Sequence, residues 1–349
     1  SNGGQTIRSI LSIPVITGKI GRSGCGFNFA NLQGYIYDAE KEPDSYYPDA
    51  VNDLPFRRTI SMAKFAEGFN NLTSPGIKVA WIERGNPVTQ LPDSTGVRKA
   101  FESIPFKVVV DQFMTDTAMM ADIILPAKGL FEQSDIVSSY WNPYVQFKPK
   151  VTEPPGEVMP ESEIYYRLAE TMKLCENIPN PIPEPGNENF EKWLAGRISQ
   201  NNSITLDDLR KGPVLPAEVE ETAYHDLKFP TQSGKIELCS ETSAGKWGGN
   251  PLPSYVPLED NEDKKLPFRL MSHNIASRIH SQFGNLDVIR SLIEPPAWEI
   301  SVSDARRLHI KSNDRIRISN SRGEVTGKAR VTTRVRRGSI VFPNGVWID

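Results

Sequence analysis

"VVVDQFMTDTAMMADIILPA", residues 108–127, is the stretch on which the fold turns. Three consecutive valines have the χ1 stiffness that favours an extended chain, and a run without polar alternation reads as a strand buried on both faces. Asp111 ends that run. A turn and short helix over 111–121 follow, and "DIILPA" (122–127) is a second apolar strand carrying Pro126 near its end. The same alternation lies upstream: "IKVAWIE" (77–83) reads as a strand, "RGNPVTQLPDS" (84–94) as a loop, "TGVRKAFESI" (95–104) as a short helix and "FKVVV" (106–110) as the next strand. Apolar strands alternating with short helices predict a parallel sheet covered on both faces. Ligands of such sheets sit at the carboxyl ends of the strands. Those ends are Gly85-Asn86-Pro87, Asp111-Gln112-Phe113 and Leu125-Pro126, which puts Asp111 on the rim of a cleft.

Before this sheet, "TIRSILSIPVI" (6–16) has helical apolar spacing and leads into the glycine-punctuated "TGKIGRSGCG" (17–26). That loop is neither common phosphate loop: Ile20 follows Gly18-Lys19 where a P-loop needs Ser or Thr, and the glycines read GxxGxG, not GxGxxG. Residues 27–60 are aromatic-rich with little periodicity. After the sheet, residues 150–220 are proline-rich and acidic, and they read as connecting structure around one clear helix, "EIYYRLAETMKL" (163–174). With 28 prolines in the chain, about 8% against a usual 5% or so, ordered crossovers are favoured over a Gly/Ser tether. Beyond "PFRLMSH" (267–273) the pattern changes. "AWEISVS" (297–303) is a strand, "DARRLH" (304–309) a short helix, and 314–343 a series of alternating strands joined by turns such as Ser321-Arg322-Gly323. This predicts a small β-barrel, with residues 247–349 as a second compact unit.

The chain has 349 residues, 38% hydrophobic and 24% charged, enough for two or three domains with real cores. No apolar run approaches the ~20 residues of a membrane span, and no basic start precedes an apolar core at the first residues, so neither direct membrane insertion nor a signal peptide is expected. Cys25, Cys175 and Cys239 are too scattered for a disulfide framework or a CxxC site, and the four histidines include no HExxH, so no metal-ligating residue is assigned. From residue 300 onward there are eleven Lys and Arg against four Asp and Glu, a net +7 that leaves −10 for the rest of a chain totalling −3. A basic module suits an anionic partner: cofactor phosphates, a nucleic acid backbone or an acidic neighbouring domain, with a solvated β surface as the plain alternative.

The order of signals resembles a known family. "GNP" after a strand, "VVVDQFMTDTAMMADIILP", "FEQSD", "FPTQSGKIEL", "RIHSQF", "SVSDARRLHIKSNDRIRISNSRGEV" and "RRGSIVFPNGVW" together are similar to the C-terminal half of the molybdopterin guanine dinucleotide-dependent oxidoreductases, the dimethyl sulfoxide reductase family. The resemblance runs over residues 2–349 and implies an α/β Rossmann-like αβα layer domain followed by a double-psi β-barrel domain. On that reading residues 1–45 are a linking segment from an N-terminal half, 46–246 the Rossmann-like domain with its proline-rich crossover, and 247–349 the barrel, cut short at its C-terminus. It further implies a cofactor of molybdopterin guanine dinucleotide with molybdenum or tungsten. An iron-sulfur cluster is expected in the N-terminal half, which lies outside this sequence together with the metal-ligating residue.

The resemblance also gives Asp111 a role. Guanine presents two adjacent donors, N1-H and N2-H2, and a carboxylate is acceptor-only with two oxygens, so one Asp can take both in a forked pair. The alternative is an Asp that caps the following turn, a task Thr115 or Asp116 could also perform. Gly85 would allow close backbone approach, Asn86 could both donate and accept toward ribose or phosphate, and Pro87 fixes the turn; a plain strand-to-helix turn is the bland reading. Gln133 falls where some family members have lysine, and Glu161 matches a further acidic ligand of the base. Ser272, His273, Arg278, His280, Ser281 and Gln282 concentrate donors in a loop the family uses at pterin and pyrophosphate, with Arg278 suited to a bidentate phosphate clamp. Asp304 reads as the cap of a short helix and Asn313-Asp314 as a turn pair.

The intact protein is thus expected to be an oxidoreductase performing two-electron chemistry on a small substrate, as in anaerobic respiration. No residue of this sequence is assigned as catalytic, and this sequence alone is expected to be inactive. The alternatives are a non-catalytic scaffold such as the large subunit of respiratory complex I, and a non-redox member such as a hydratase. Expected partners are the N-terminal half and an electron-transfer subunit, not nucleic acid. The compartment, cytoplasmic or reached by a twin-arginine signal, is not fixed by these residues.

Overall fold

The computed structural model describes residues 3–27, 60–72, 76–139, 142–176, 178–201, 204–217, 219–255, 265–320 and 323–347. Most of the aromatic-rich stretch, the boundary near residue 45 and residues 321 and 322 of the expected turn lie outside these. In chain order the elements are α1 (Gly3–Ile16), α2 (Phe65–Asn70), β1 (Val79–Glu83), α3 (Pro87–Gln90), α4 (Ser94–Glu102), β2 (Phe106–Asp111), β3 (Ile123–Pro126), β4 (Asp135–Val137) and β5 (Gln146–Lys148). There follow α5 (Glu161–Thr171), α6 (Asn187–Asn201), α7 (Leu206–Lys211), α8 (Glu241–Trp247), β6 (Arg269–His273), α9 (Asp287–Leu292), β7 (Trp298–Ser301), α10 (Val302–Leu308), β8 (Arg315–Asn320), β9 (Gly323–Thr332) and β10 (Ser339–Pro343). They form two compact units, one from residues 1–54, 129–154 and 160–262, the other from 55–128, 155–159 and 263–349.

The second unit holds both larger sheets. β1, β2 and β3 form a parallel sheet in that order, with Val108 opposite Trp81 on one side and Ile123 on the other. The central position of β2 explains the burial of its valines: Val109 and Val110 are each 1% exposed. α4 begins at Asp93, whose side chain accepts from Gly96 N, and its apolar positions Val97, Ala100 and Phe101 are buried. Val97 and Phe101 join Ala66, Val88, Leu91 and Ile104 in one core against Ala80 and Ile82 of β1. Lys107 is buried in this sheet; its Nζ donates to Ile104 O (2.9 Å) and pairs with Asp122 (3.0 Å). Coverage of both faces does not extend to β3, where Ile123 and Ile124 are exposed. The expected turn and helix over 111–121 is only a 3₁₀ turn at Ala118–Met120.

The C-terminal strands of this unit form a mixed, five-stranded half-barrel sheet in the order β6-β10-β7-β9-β8. β10 runs parallel to β6 and antiparallel to β7, and β7 runs parallel to β9. Its core includes Trp298, stacked on Phe342 with ring centroids 4.2 Å apart, and Ile300, which is fully buried. Mixed α/β architecture is therefore established.

In the first unit, β4 and β5 pair antiparallel beside a core of Val145, Ile198, Ile204, Leu206 and Leu209. The proline-rich segment carries more helix than expected: α6 and α7 accompany α5. α7 starts with a reciprocal Thr205/Asp208 capping box. No helix among the described residues is long and apolar enough to cross a membrane.

Candidate functional site

The carboxyl ends of β1 and β2 meet in a hydrogen-bonded corner. Asn86, 3% exposed, follows β1, and its Oδ1 accepts from both Thr117 N (3.2 Å) and Thr117 Oγ1 (2.8 Å). Its Nδ2 donates to Thr89 Oγ1 at 2.9 Å, and Thr89 Oγ1 donates to Asp116. The amide expected at ribose or phosphate is therefore turned into the protein, where it ties the β1 and β2 loops together. Pro87 occupies the first turn of α3, where its missing N–H costs nothing. A Cβ added at Gly85 would meet nothing closer than Glu83 O at 3.6 Å, so the surrounding protein does not itself require glycine there.

Asp111 ends β2 half-buried. Its Oδ1 accepts from Phe113 N at 3.1 Å, a turn that the carboxylate closes on itself, while Thr115 Oγ1 accepts from Ala118 N and starts the 3₁₀ turn. Oδ2 of Asp111 accepts nothing from the described residues, and Oδ1 retains a second lone pair. Capping and base reading are thus compatible in one side chain.

The donor-rich loop follows β6, the edge strand of the five-stranded sheet. Ser272 and His273 are the last two residues of β6 and are exposed, as are His280 and Gln282. Arg278 is different: it is only 8% exposed, and its Nε has no hydrogen-bond partner among the described residues. Burial pushes its pKa below the ordinary value, and among the described residues no carboxylate offsets that effect. Two contacts fix the loop around it. Trp347 Nε1 donates to Ser281 O at 2.6 Å, and Gly345 passes so close that an added Cβ would stand 1.6 Å from His280 O. With φ at +67°, Gly345 is held to glycine by backbone geometry as well as by space.

Gln133 and Glu161 belong to the first unit. Gln133 is 5% exposed, and its Nε2 donates to Ser162 Oγ at 3.0 Å. Its neighbour Ser134 donates to Glu191 at 2.6 Å, and Glu191 also pairs with Arg210. Burial pushes Glu191 up, but hydrogen bonds from Ser134, Arg210 and Asn187 outweigh it and hold the carboxyl below its usual value. Glu161, 6% exposed, is the first residue of α5. Among the described residues no three His, Cys, Asp or Glu side chains gather as a metal would need.

Two family models match the sequence: "Molybdopterin oxidoreductase" over residues 1–171 and "Molydopterin dinucleotide binding domain" over residues 268–348. The probable oxidoreductase YyaE of Bacillus subtilis is 32% identical over 352 residues, covering 99% of this chain and 51% of that protein. The chain belongs to the molybdopterin oxidoreductase family. Within that family the dimethyl sulfoxide reductase DmsA of Escherichia coli is 27% identical over 393 residues, covering 100% of this chain and 47% of the relative. The chain therefore spans about half the length of these curated molybdopterin oxidoreductases. Acetylene hydratase from Pelobacter acetylenicus shares the fold, with a TM-score of 0.64 at 20% identity over 81% of this chain and 39% of that one. The Arg278 loop and the half-barrel sheet fall within the dinucleotide-binding match, and the Asp111 corner within the molybdopterin oxidoreductase match. Among the described residues the buried Nε–H of Arg278 has no acceptor, and an unsatisfied buried donor is costly, so Arg278 fits the phosphate of such a dinucleotide.

Proposed function

We propose that the second unit binds the guanine dinucleotide form of molybdopterin, with Asp111 reading the base and Arg278 holding phosphate. The observation that carries this reading is the buried, unpartnered Nε of Arg278, in the same unit as a strand-end carboxylate with acceptors to spare. Arg278 supplies a planar donor fork suited to phosphate oxygens, and its burial excludes competing water. Asp111 accepts from N1-H and N2-H2 of guanine while Phe113 N keeps the carboxylate oriented. Asn86 and Gly85 act beside it, Asn86 by holding the two loops at a fixed separation. On this reading the three-stranded sheet is the core of a Rossmann-like layer and the five-stranded sheet a part of a double-psi barrel.

When bound, the cofactor's molybdenum or tungsten supplies two-electron redox chemistry on a small substrate, with an iron-sulfur cluster as the electron relay. The dimethyl sulfoxide reductase among the relatives supports the redox assignment. The residues here bind and orient; none is assigned a proton transfer.

Calorimetric titration with GDP and ADP tests the reading. The wild type should prefer GDP, and Asp111→Asn, which sets a donor against the base's donors, should lose ~1.5–3 kcal/mol of that preference, roughly ten- to a hundredfold. Arg278→Gln should weaken GDP and ADP alike. Equal affinity of the wild type for the two nucleotides would overturn the proposal.

A further inference from the structure

α3 runs from the corner at the ends of β1 and β2 to the loop that carries Arg278. It begins at the corner of the β1 and β2 ends: Val88 N donates to Thr117 Oγ1 at 3.1 Å, beside the Asn86 bonds already described. It ends at Gln90, whose Nε2 donates to Ser281 Oγ at 3.1 Å. Ser281 is 5% exposed and lies three residues beyond Arg278. With its hydroxyl on Gln90 and its carbonyl on Trp347, Ser281 faces the protein, although the sequence placed it among the ligand donors. A four-residue helical turn spans about 6 Å.

We infer that α3 is a strut that sets the separation between the base-reading carboxylate of Asp111 and the phosphate-binding guanidinium of Arg278, with Gln90 and Ser281 as the positioning pair at its far end. This rests on the guanine and phosphate assignments above. The pair touches no ligand. It acts only on a molecule that engages both anchors at once, a guanosine 5′-diphosphate group, because simultaneous engagement gains affinity only when the two sites stand at the right distance.

The test is calorimetry on the full chain with GDP, ADP, guanosine and inorganic pyrophosphate, for the wild type, Gln90→Leu, Ser281→Ala and the double variant. Gln90→Leu should weaken GDP about fivefold, the scale of one neutral hydrogen bond, while guanosine and pyrophosphate bind as before. The double variant should be no worse toward GDP than the poorer single one, since both remove one shared interaction. Equal weakening of GDP, guanosine and pyrophosphate would mean that Gln90 only supports the fold, and the strut would be rejected. A wild type that prefers GDP over ADP, with Gln90→Leu binding GDP unchanged, would reject the strut and leave the base reading standing. Absence of that preference in the wild type would remove the base reading and the strut together.

Discussion

Two aspartates of one unit, Asp111 at the end of β2 and Asp304 in the first turn of α10 just past β7, are used in opposite ways. After β7, Asp304 is 1% exposed and accepts from Ser301 Oγ (2.7 Å), Gly338 N (2.8 Å) and Arg307 Nη2 (3.1 Å). At the end of β2, Asp111 is half-buried and among the described residues accepts from Phe113 N alone. The protein saturates the first carboxylate and leaves capacity on the second. A position at a strand's end therefore does not distinguish structure from binding; the acceptors left over do.

The largest test of this contrast is Asp304→Ala. It strips an acceptor from part-buried Gly338 N–H and buried Ser301, while Arg307 is half exposed and turns to solvent, and it should cost about 2–3 kcal/mol in urea unfolding with no change in GDP-over-ADP preference. A loss under about 1 kcal/mol would erase the difference between the two corners. Acid gives a gentler version. Burial pushes Asp304 up, but hydrogen bonds from Gly338, Ser301 and Arg307 prevail and hold its carboxyl below the usual range. Its folded pKa is thus lower than its unfolded one, so its stabilisation is complete above about pH 4 and is lost as pH falls through the folded value. The stability gap between wild type and Asp304→Asn should accordingly shrink on acidification, as followed by urea midpoints across pH; a gap that stays constant would show that the charge contributes nothing.

Smaller effects are expected at the other corner. Asp111→Ala should cost about 1 kcal/mol, the bond to Phe113 N, by the same denaturation assay. Asp111→Asn keeps an oxygen for that N–H and should change stability by less than about 0.5 kcal/mol. If the Asn variant proves as unstable as Asp304→Ala, Asp111 is a structural cap and the two corners are alike.

Much of the sheet was legible because strand burial leaves a local trace. Val108, Val109 and Val110 read as a strand buried on both faces and lie in the middle strand of the parallel sheet. α6 escaped notice because its apolar residues Phe190, Leu194 and Ile198, though spaced four apart, are diluted among polar side chains and follow a proline run. α3 is too short for any periodicity to register. The candidate residues were legible as types but not as orientations. Asn86 looks like a ligand contact until Thr117, 31 residues away, is seen to take its amide. Nothing local marks Arg278 as buried, since arginine in a polar loop ordinarily reads as surface. That the neighbouring chain at Gly345 packs against the Arg278 loop is a tertiary fact, invisible to spacing.

Lys107 offers a built-in reporter. Its amine is occupied by Ile104 O and Asp122, and its side chain is 11% exposed, whereas lysines such as Lys64 and Lys173 stand 72% and 75% exposed in solvent. An acylating reagent reaches the latter at once but meets Lys107 only when β2 and β3 part. The time at which residue 107 acquires mass in a labelling experiment therefore clocks the opening of the sheet that carries Asp111, without any engineered probe.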